Sequence, residues 1–251
     1  MKFLKIEVRD ECQFVTLNRP DVKNAFHPEM IQELTDTFLA CSKNKSLRAI
    51  FLKGEGTAFC AGADLNWMKE MIQFSFDENK KDSEKLWQMF EAIAFCEVPA
   101  IGIVHGAVFG GALGLLACCD YVFAETGTKF CFSEVKLGLA PAVISSFIRR
   151  KVADGFARSL MLSAEVFSAE KAQSCGLVHE IFKGATDMAL MHQKFSGQGI
   201  EALRETKKLL NALPSLNWAE QKNLTTTVIS ERRTSAEGQS RLKSFLGKSS
   251  N

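Results

Sequence analysis

One carboxylate in this chain stands where it could move protons. In the run Lys129-Phe130-Cys131-Phe132-Ser133-Glu134, a spacing of two puts Phe130, Phe132 and Glu134 on one face of a continued strand. A carboxyl held among phenylalanines loses water, which raises its pKa and lets it give and take protons near neutral pH. The same spacing also suits a strand-end glutamate that points to solvent. A second chemical opportunity lies in Ala100 to Asp120, where an apolar run is followed by Gly106, Ala107, Gly110, Gly111, Ala112 and Gly114. Glycine at a helix start lets a ligand approach the backbone, and the first N–H groups there lack intrahelical partners. Such a place can hold an anion or a developing oxyanion. Close packing of helix on strand would use the same glycines.

Other chemistries find little footing. Gly106 to Gly111 lacks the G-x-G-x-x-G spacing, and there is no phosphate-binding G-x-x-x-x-G-K-[S/T] run and no G-x-S-x-G elbow. His27, His105, His179 and His192 are far apart, so no metal site is expected. The eight cysteines are scattered without a CxxC pair. With no signal or transit peptide and no 18-residue apolar run, they point to a reducing cytoplasm. Lys and Arg total 31 against 29 Asp and Glu, a net charge of +2. The pairs Lys80-Lys81 and Lys207-Lys208 sit on mixed-sign segments, so neither nucleic acid nor membrane is an expected partner.

The elements that must position these residues read in order. Phe3 to Val8 and Gln13 to Leu17 alternate as a hairpin turning near Asp10-Glu11. Pro28 starts a helix with Ile31, Leu34, Phe38 and Cys41 on one face. Ala49 to Leu52 reads as a strand, and the small-residue turn Phe59 to Leu65 leads into a helix over Asn66 to Gln73. Phe76 to Lys85 is charged and reads as an exposed, mobile stretch before the helical stripe Leu86, Met89, Phe90 and Ile93. The central stretch reads as strand Ala100 to Val104, a tight turn, and a buried helix from Gly110. Strands follow at Tyr121 to Ala124, Lys129 to Phe132 and Leu177 to Phe182. Helices are expected over Ala142 to Lys151, Gly155 to Leu162 and Ser168 to Ser174, the last capped by Ser168. From Ile200 onward the chain reads as helical with a break at Pro214. Short strand, Gly/Ala turn and helix recur around residues 50–70 and 100–118, a loose internal repetition.

Phe59-Cys60-Ala61-Gly62-Ala63-Asp64-Leu65 and Gly106-Ala107-Val108-Phe109-Gly110-Gly111-Ala112-Leu113-Gly114 resemble the paired signatures of the crotonase (enoyl-CoA hydratase/isomerase) superfamily. Phe132 to Pro141 resembles its third, and Asn18-Arg19-Pro20 with Asn24-Ala25 also fits. The resemblance spans essentially the whole chain. It implies an α/β fold, a crotonase-type spiral of ββα units over residues 1–195, with a helical C-terminal trimerisation region over 196–251. It further implies an acyl-CoA thioester as substrate rather than a resident cofactor, and assembly as a homotrimer or dimer of trimers. By position, the backbone N–H groups of Ala63 and Gly111 would polarise the thioester carbonyl, and Glu134 would be the acid/base. Lys23, Ala25, Ala61, Asp64, Leu65, Gly114 and Pro141 would line the substrate, with Lys23 near the phosphates and adenine and Lys243 or Lys248 reaching a neighbouring subunit.

Two departures stand out. Related hydratases carry a glutamate where this chain has Gly114, and their Pro-Gly-x-Gly-Gly is replaced by Pro141-Ala142-Val143-Ile144-Ser145. Together with Asp64 to Lys69, both resemble the bacterial methylglutaconyl-CoA hydratase branch. Gly114 is expected to leave space and to remove a negative charge, which would suit an acyl group ending in its own carboxylate. One carboxylate equally suits a Δ3,Δ2-enoyl-CoA isomerase. A catalytically silent acyl-CoA binder is the third possibility.

Overall fold

The computed structural model describes residues 1–184 and 187–248, with the backbone alone at 187–190 and 248. Strands β1 (Leu4–Arg9) and β2 (Cys12–Leu17) form the expected hairpin, turning through Asp10 and Glu11, both at positive φ. Helix α1 (Pro28–Lys43) begins at the expected proline and buries Ile31, Leu34, Phe38 and Cys41. Strand β3 (Ala49–Gly54), the short α2 (Leu65–Met71) and α3 (Phe76–Ala94) follow. The charged stretch from Phe76 is therefore not irregular. It is the first half of α3, held by a reciprocal capping box between Ser75 and Glu78. That box satisfies helix N–H groups without any apolar contact, so hydrophobic periodicity does not report it.

Strand β4 (Ala100–Val104) precedes a second short strand, β5 (Ala107–Phe109), where only a tight turn was expected. Helix α4 (Ala112–Cys118) is buried at every position. The chain continues through β6 (Tyr121–Glu125), β7 (Lys129–Cys131), α5 (Ala142–Ile148), α6 (Asp154–Ser163), the two-residue β8 (Phe167–Ser168) and α7 (Ala169–Ser174). The Ser168 hydroxyl accepts from the Lys171 N–H as a cap. Strand β9 holds only Glu180–Phe182. Helices α8 (Asp187–Ser196), α9 (Ile200–Ala212), α10 (Trp218–Thr234) and α11 (Ala236–Lys248) complete the chain, with a 3-10 turn at Pro214.

A six-stranded sheet runs in the order β1-β2-β3-β4-β6-β9, parallel except for the first pair. A three-stranded sheet, β5-β7-β8, stands beside it. One face of the large sheet meets α1, α3, α4 and α5 around Phe26, Phe38, Phe59, Phe90 and Leu116. The other face carries a smaller layer, with Phe14, Phe51, Ile103 and Phe123 against Met191 of α8. Fully parallel pairing buries strands on both faces, which is why β4 shows five buried residues in a row.

Helix α9 is tied to this body by two buried cations. Arg204 Nη2 lies 2.7 Å from Glu97 Oε2 and 2.6 Å from Ser42 O, and Lys207 Nζ lies 2.7 Å from Asp120 Oδ2. Helix α10 buries no residue, and Trp218 is 86% exposed. Among the described residues no helix is long and apolar enough to cross a membrane.

Candidate active site

The first turn is braced from the segment before α1. Phe26 and Ala63 pair as an isolated parallel bridge: the Phe26 N–H donates to Gly62 O at 2.7 Å, and the Asp64 N–H donates to Phe26 O at 3.0 Å. In such a bridge the middle residue turns its own N–H to the other side, so the Ala63 N–H faces away from Phe26. Gly62 adopts φ +97°, and a Cβ there would sit 3.0 Å from Phe109 O. Only glycine allows the two turns to close on each other this way.

Five further bonds hold the brace. The Ala61 N–H donates to Lys23 O at 2.9 Å. Asn24 Nδ2 donates to Glu55 O and Ala58 O, both at 2.8 Å. Arg19 donates from Nη1 to Ala25 O and from Nη2 to Asp64 Oδ2, each at 2.6 Å. The other Asp64 oxygen caps α2 by accepting from the Asn66 N–H at 2.8 Å. Burial raises the Asp64 carboxyl, but the hydrogen bonds from Arg19 and Asn66 outweigh it and hold it below its usual 3.8.

The second turn is stitched beside the first. Cys60 and Val108 form another parallel bridge, with the Cys60 N–H on Ala107 O at 3.2 Å and the Phe109 N–H on Cys60 O at 3.1 Å. On its far side β5 pairs in parallel with β7, and the Gly110 N–H reaches Cys131 O at 2.9 Å. Three segments thus run side by side in one direction. Ala63, Gly111 and Glu134 each follow the C-terminal end of one of them. Gly111 is the N-cap of α4, where helix N–H groups lack intrahelical partners. Among the described residues, neither the Ala63 nor the Gly111 N–H donates to a backbone carbonyl.

Glu134 reaches this place by a different route from the strand-face argument. Strand β7 stops at Cys131, and Glu134 opens a four-residue 3-10 turn, Glu134–Leu137. The expected continuation of the strand is therefore wrong. The backbone turns because Ser133 adopts helical angles and Gly138, at φ +71°, ends the turn. Its carboxylate nevertheless points to the second turn: a Cβ on Gly110 would lie 3.6 Å from Glu134 Oε1. Glu134 Oε2 is buried without a hydrogen-bond partner among the described residues. Burial pushes the carboxyl above its usual 4.5, against a weaker opposing pull from its own backbone N–H. This is the setting of an acid that changes charge during a reaction.

Gly114 does not leave space. A Cβ there would meet Phe90 Cζ at 2.6 Å and Ile144 Cγ2 at 2.7 Å, so a phenyl ring and an isoleucine fill the room that a larger residue would need. Position 114 is a packed apolar contact. Asp64 is likewise turned toward Arg19 and α2, which makes it a support for the turn beside it. Ala25 is buried in the brace, Ala61 is half-buried, and Lys23 and Leu65 are exposed. Pro141 is the N-cap of α5, and its carbonyl accepts from Ser145 Oγ at 2.6 Å. Lys243 is exposed on α11, and the side chain of Lys248 lies outside the described residues. Sequence reasoning missed Arg19, Phe26 and Phe90 as parts of the site. The Asn18 to Ala25 run carried a signal for Arg19, but nothing local marked the two phenylalanines.

The spiral and its paired turns define a protein of the crotonase class. The chain belongs to the enoyl-CoA hydratase/isomerase family, whose model, described as Enoyl-CoA hydratase/isomerase, matches residues 8–251. It is similar in structure to an enoyl-CoA hydratase from Shewanella pealeana ATCC 700345, with TM-score 0.90, 34% identity, and 98% of this chain and 94% of that one covered. Pseudomonas aeruginosa AtuE superposes with TM-score 0.94 at 28% identity, covering 98% and 97%. The 2,3-dehydroadipyl-CoA hydratase of Escherichia coli strain K12 is 30% identical over 184 residues, 72% of this chain and 70% of that one. The chain is an enzyme of this family, whose members act on acyl-CoA thioesters.

Proposed function

We propose that this enzyme adds water across the double bond of an α,β-unsaturated acyl-CoA. The observation that carries the reading is the unpartnered, desolvated Glu134 oxygen beside the turn that ends in Gly111. The Ala63 and Gly111 N–H groups hold the thioester oxygen. As Glu134 takes a proton from water, the water oxygen bonds to the β-carbon and the π electrons move onto the thioester oxygen. Glu134 then returns the proton to the α-carbon, and the enolate collapses to the hydrated thioester. The only additions are the atoms of one water molecule. Preorganised N–H donors at such an oxyanion typically contribute about 10²–10³ in kcat each.

For the acyl group, 3-methylglutaconyl-CoA is the substrate to test first. Gly114, packed against Phe90 and Ile144, supplies no second anion, so an acyl carboxylate meets no repulsion from that position. The Escherichia coli relative is named for a substrate that also ends in a carboxylate. The single acid beside the two turns also fits a second reading, isomerisation of a 3-enoyl-CoA by Glu134 alone. A product assay over crotonyl-, 3-enoyl- and 3-methylglutaconyl-CoA separates the two. Hydrated product from 3-methylglutaconyl-CoA supports the first reading, and a shifted double bond with no hydration moves the assignment to isomerase.

The same reading places the enzyme in a reducing cytoplasm, in keeping with eight free, buried cysteines. It also makes α10 and α11 the contact between copies in a homotrimer or dimer of trimers. Trp218, Ile229, Leu242, Phe245 and Leu246 leave these helices with large exposed apolar groups. Deleting the chain from Pro214 onward should give monomer or aggregate in sedimentation, and a stable trimer after that deletion would refute the assignment.

A further inference from the structure

Phe26 touches both turns. Its backbone brackets Ala63, through the bonds to Gly62 O at 2.7 Å and from the Asp64 N–H at 3.0 Å. Its ring lies against the other donor: a Cβ on Gly111 would sit 3.1 Å from Phe26 Cε2 and 3.5 Å from Cδ2. The ring cannot retreat. It meets Phe90 edge-on, with centroids 6.5 Å apart at 82°, and Phe90 is itself pressed against Gly114. Phe26 is 2% exposed.

We propose that Phe26 is a positioning residue that sets the separation of the Ala63 and Gly111 N–H groups, and so their common aim at one thioester oxygen. This rests on the oxyanion role assigned to those two groups under the proposed function. The two donors come from segments far apart in the chain. One end of Phe26 is fixed to the first by backbone hydrogen bonds, and the ring at the other end stands 3.1 Å from where a side chain on Gly111 would begin. The length of the side chain is therefore the spacer between them. A shorter residue lets the start of α4 drift toward the first turn, and the two N–H groups no longer converge. A misplacement of about 1 Å in such a site typically lowers the rate on the order of a hundredfold.

The reading differs from simple core packing in what it moves. Loss of packing lowers thermal stability and leaves the polarisation of each bound thioester unchanged. Loss of spacing changes the polarisation itself. The test uses Phe26→Leu, with Phe38→Leu as a control at an equally buried phenylalanine of α1. Phe26→Met, which keeps most of the volume, answers the same question if the leucine variant does not fold.

Two readouts are needed. The first is kcat and KM on the enoyl-CoA that the wild type hydrates best. The second is the near-ultraviolet absorption of bound 2,4-hexadienoyl-CoA, with each substitution carried in Glu134→Gln so that the thioester is not consumed. Hydrogen bonds to the carbonyl oxygen draw electron density along the conjugated chain and move the band to longer wavelength. We expect Phe26→Leu to lose most of that shift and to lower kcat on the order of tenfold to a hundredfold, with KM nearly unchanged. Phe38→Leu should keep both while lowering the melting temperature. If Phe26→Leu keeps the full shift and kcat, Phe26 is core only and the inference is overturned. If the parent protein shows no shift at all, the oxyanion reading fails first.

Discussion

The two walls of the site are built by opposite means. The donor wall is backbone, and it is over-determined: Arg19, Asn24 and Phe26 brace the first turn, while β5 and Cys131 hold the second. The acid wall is one side chain on a single 3-10 turn, followed by Val135, Leu137 and Leu139, which are exposed. Under the proposed function the donors must not move when charge develops, because reorganisation at that moment would raise the barrier. The acid must change charge, and a carboxylate locked by several donors could not. Among the described residues Glu134 keeps one oxygen unpartnered, whereas Asp64 has both oxygens engaged. Two carboxylates placed close to the same turns thus have opposite pKa shifts, and the proposed function gives them opposite uses.

The sharpest way to break this contrast is Glu134→Gln, which should lower turnover by about 10²–10⁴-fold while the fold is kept. The folded protein holds the proton of Glu134 more tightly than the unfolded chain does. Its contribution to stability is therefore present below the usual 4.5 and is lost as pH rises through the raised folded value. Glu134→Gln should accordingly melt higher than wild type at pH 7, with the gain vanishing below about pH 4.5. Calorimetry across that range checks the sign.

Arg19→Met should have the next largest effect, and on the opposite variable. It leaves Asp64 buried without its cation, a loss of about 3–5 kcal/mol for pairs of this kind. The Asp64 contribution is present above its usual 3.8 and is lost as pH falls through the lowered folded value. The variant should melt lower at pH 7 and show a flatter acid limb, as read by denaturant unfolding at several pH values. Smaller still is Gly114→Ala. Its added methyl would press on Phe90 and Ile144, for about 1–3 kcal/mol. Adding Phe90→Leu should return part of that stability, and a double-mutant cycle measures the coupling.

Much of this arrangement was legible in the sequence, for physical reasons that differ from part to part. The hairpin and α1 follow from their periods, because each buries one face or one stripe. Glu134 was legible as a desolvated acid, although the strand invoked to bury it ends at Cys131. Strand β5 was not legible, since three residues between glycines show no period and pair only with distant partners. The space at Gly114 was misread for a related reason. A glycine shows that no side chain is present, and only the fold shows that Phe90 and Ile144 occupy the room.

The division of labour between the two walls is tested most directly by titrating 2,4-hexadienoyl-CoA into Glu134→Gln and recording its absorption when bound. If the donors are fixed by the fold and the acid only moves protons, the bound thioester absorbs at longer wavelength than the free thioester, while hydration is lost. A shift that disappears with the carboxylate, or hydration that survives without it, would contradict the assignment of polarisation to Ala63 and Gly111 and of proton transfer to Glu134.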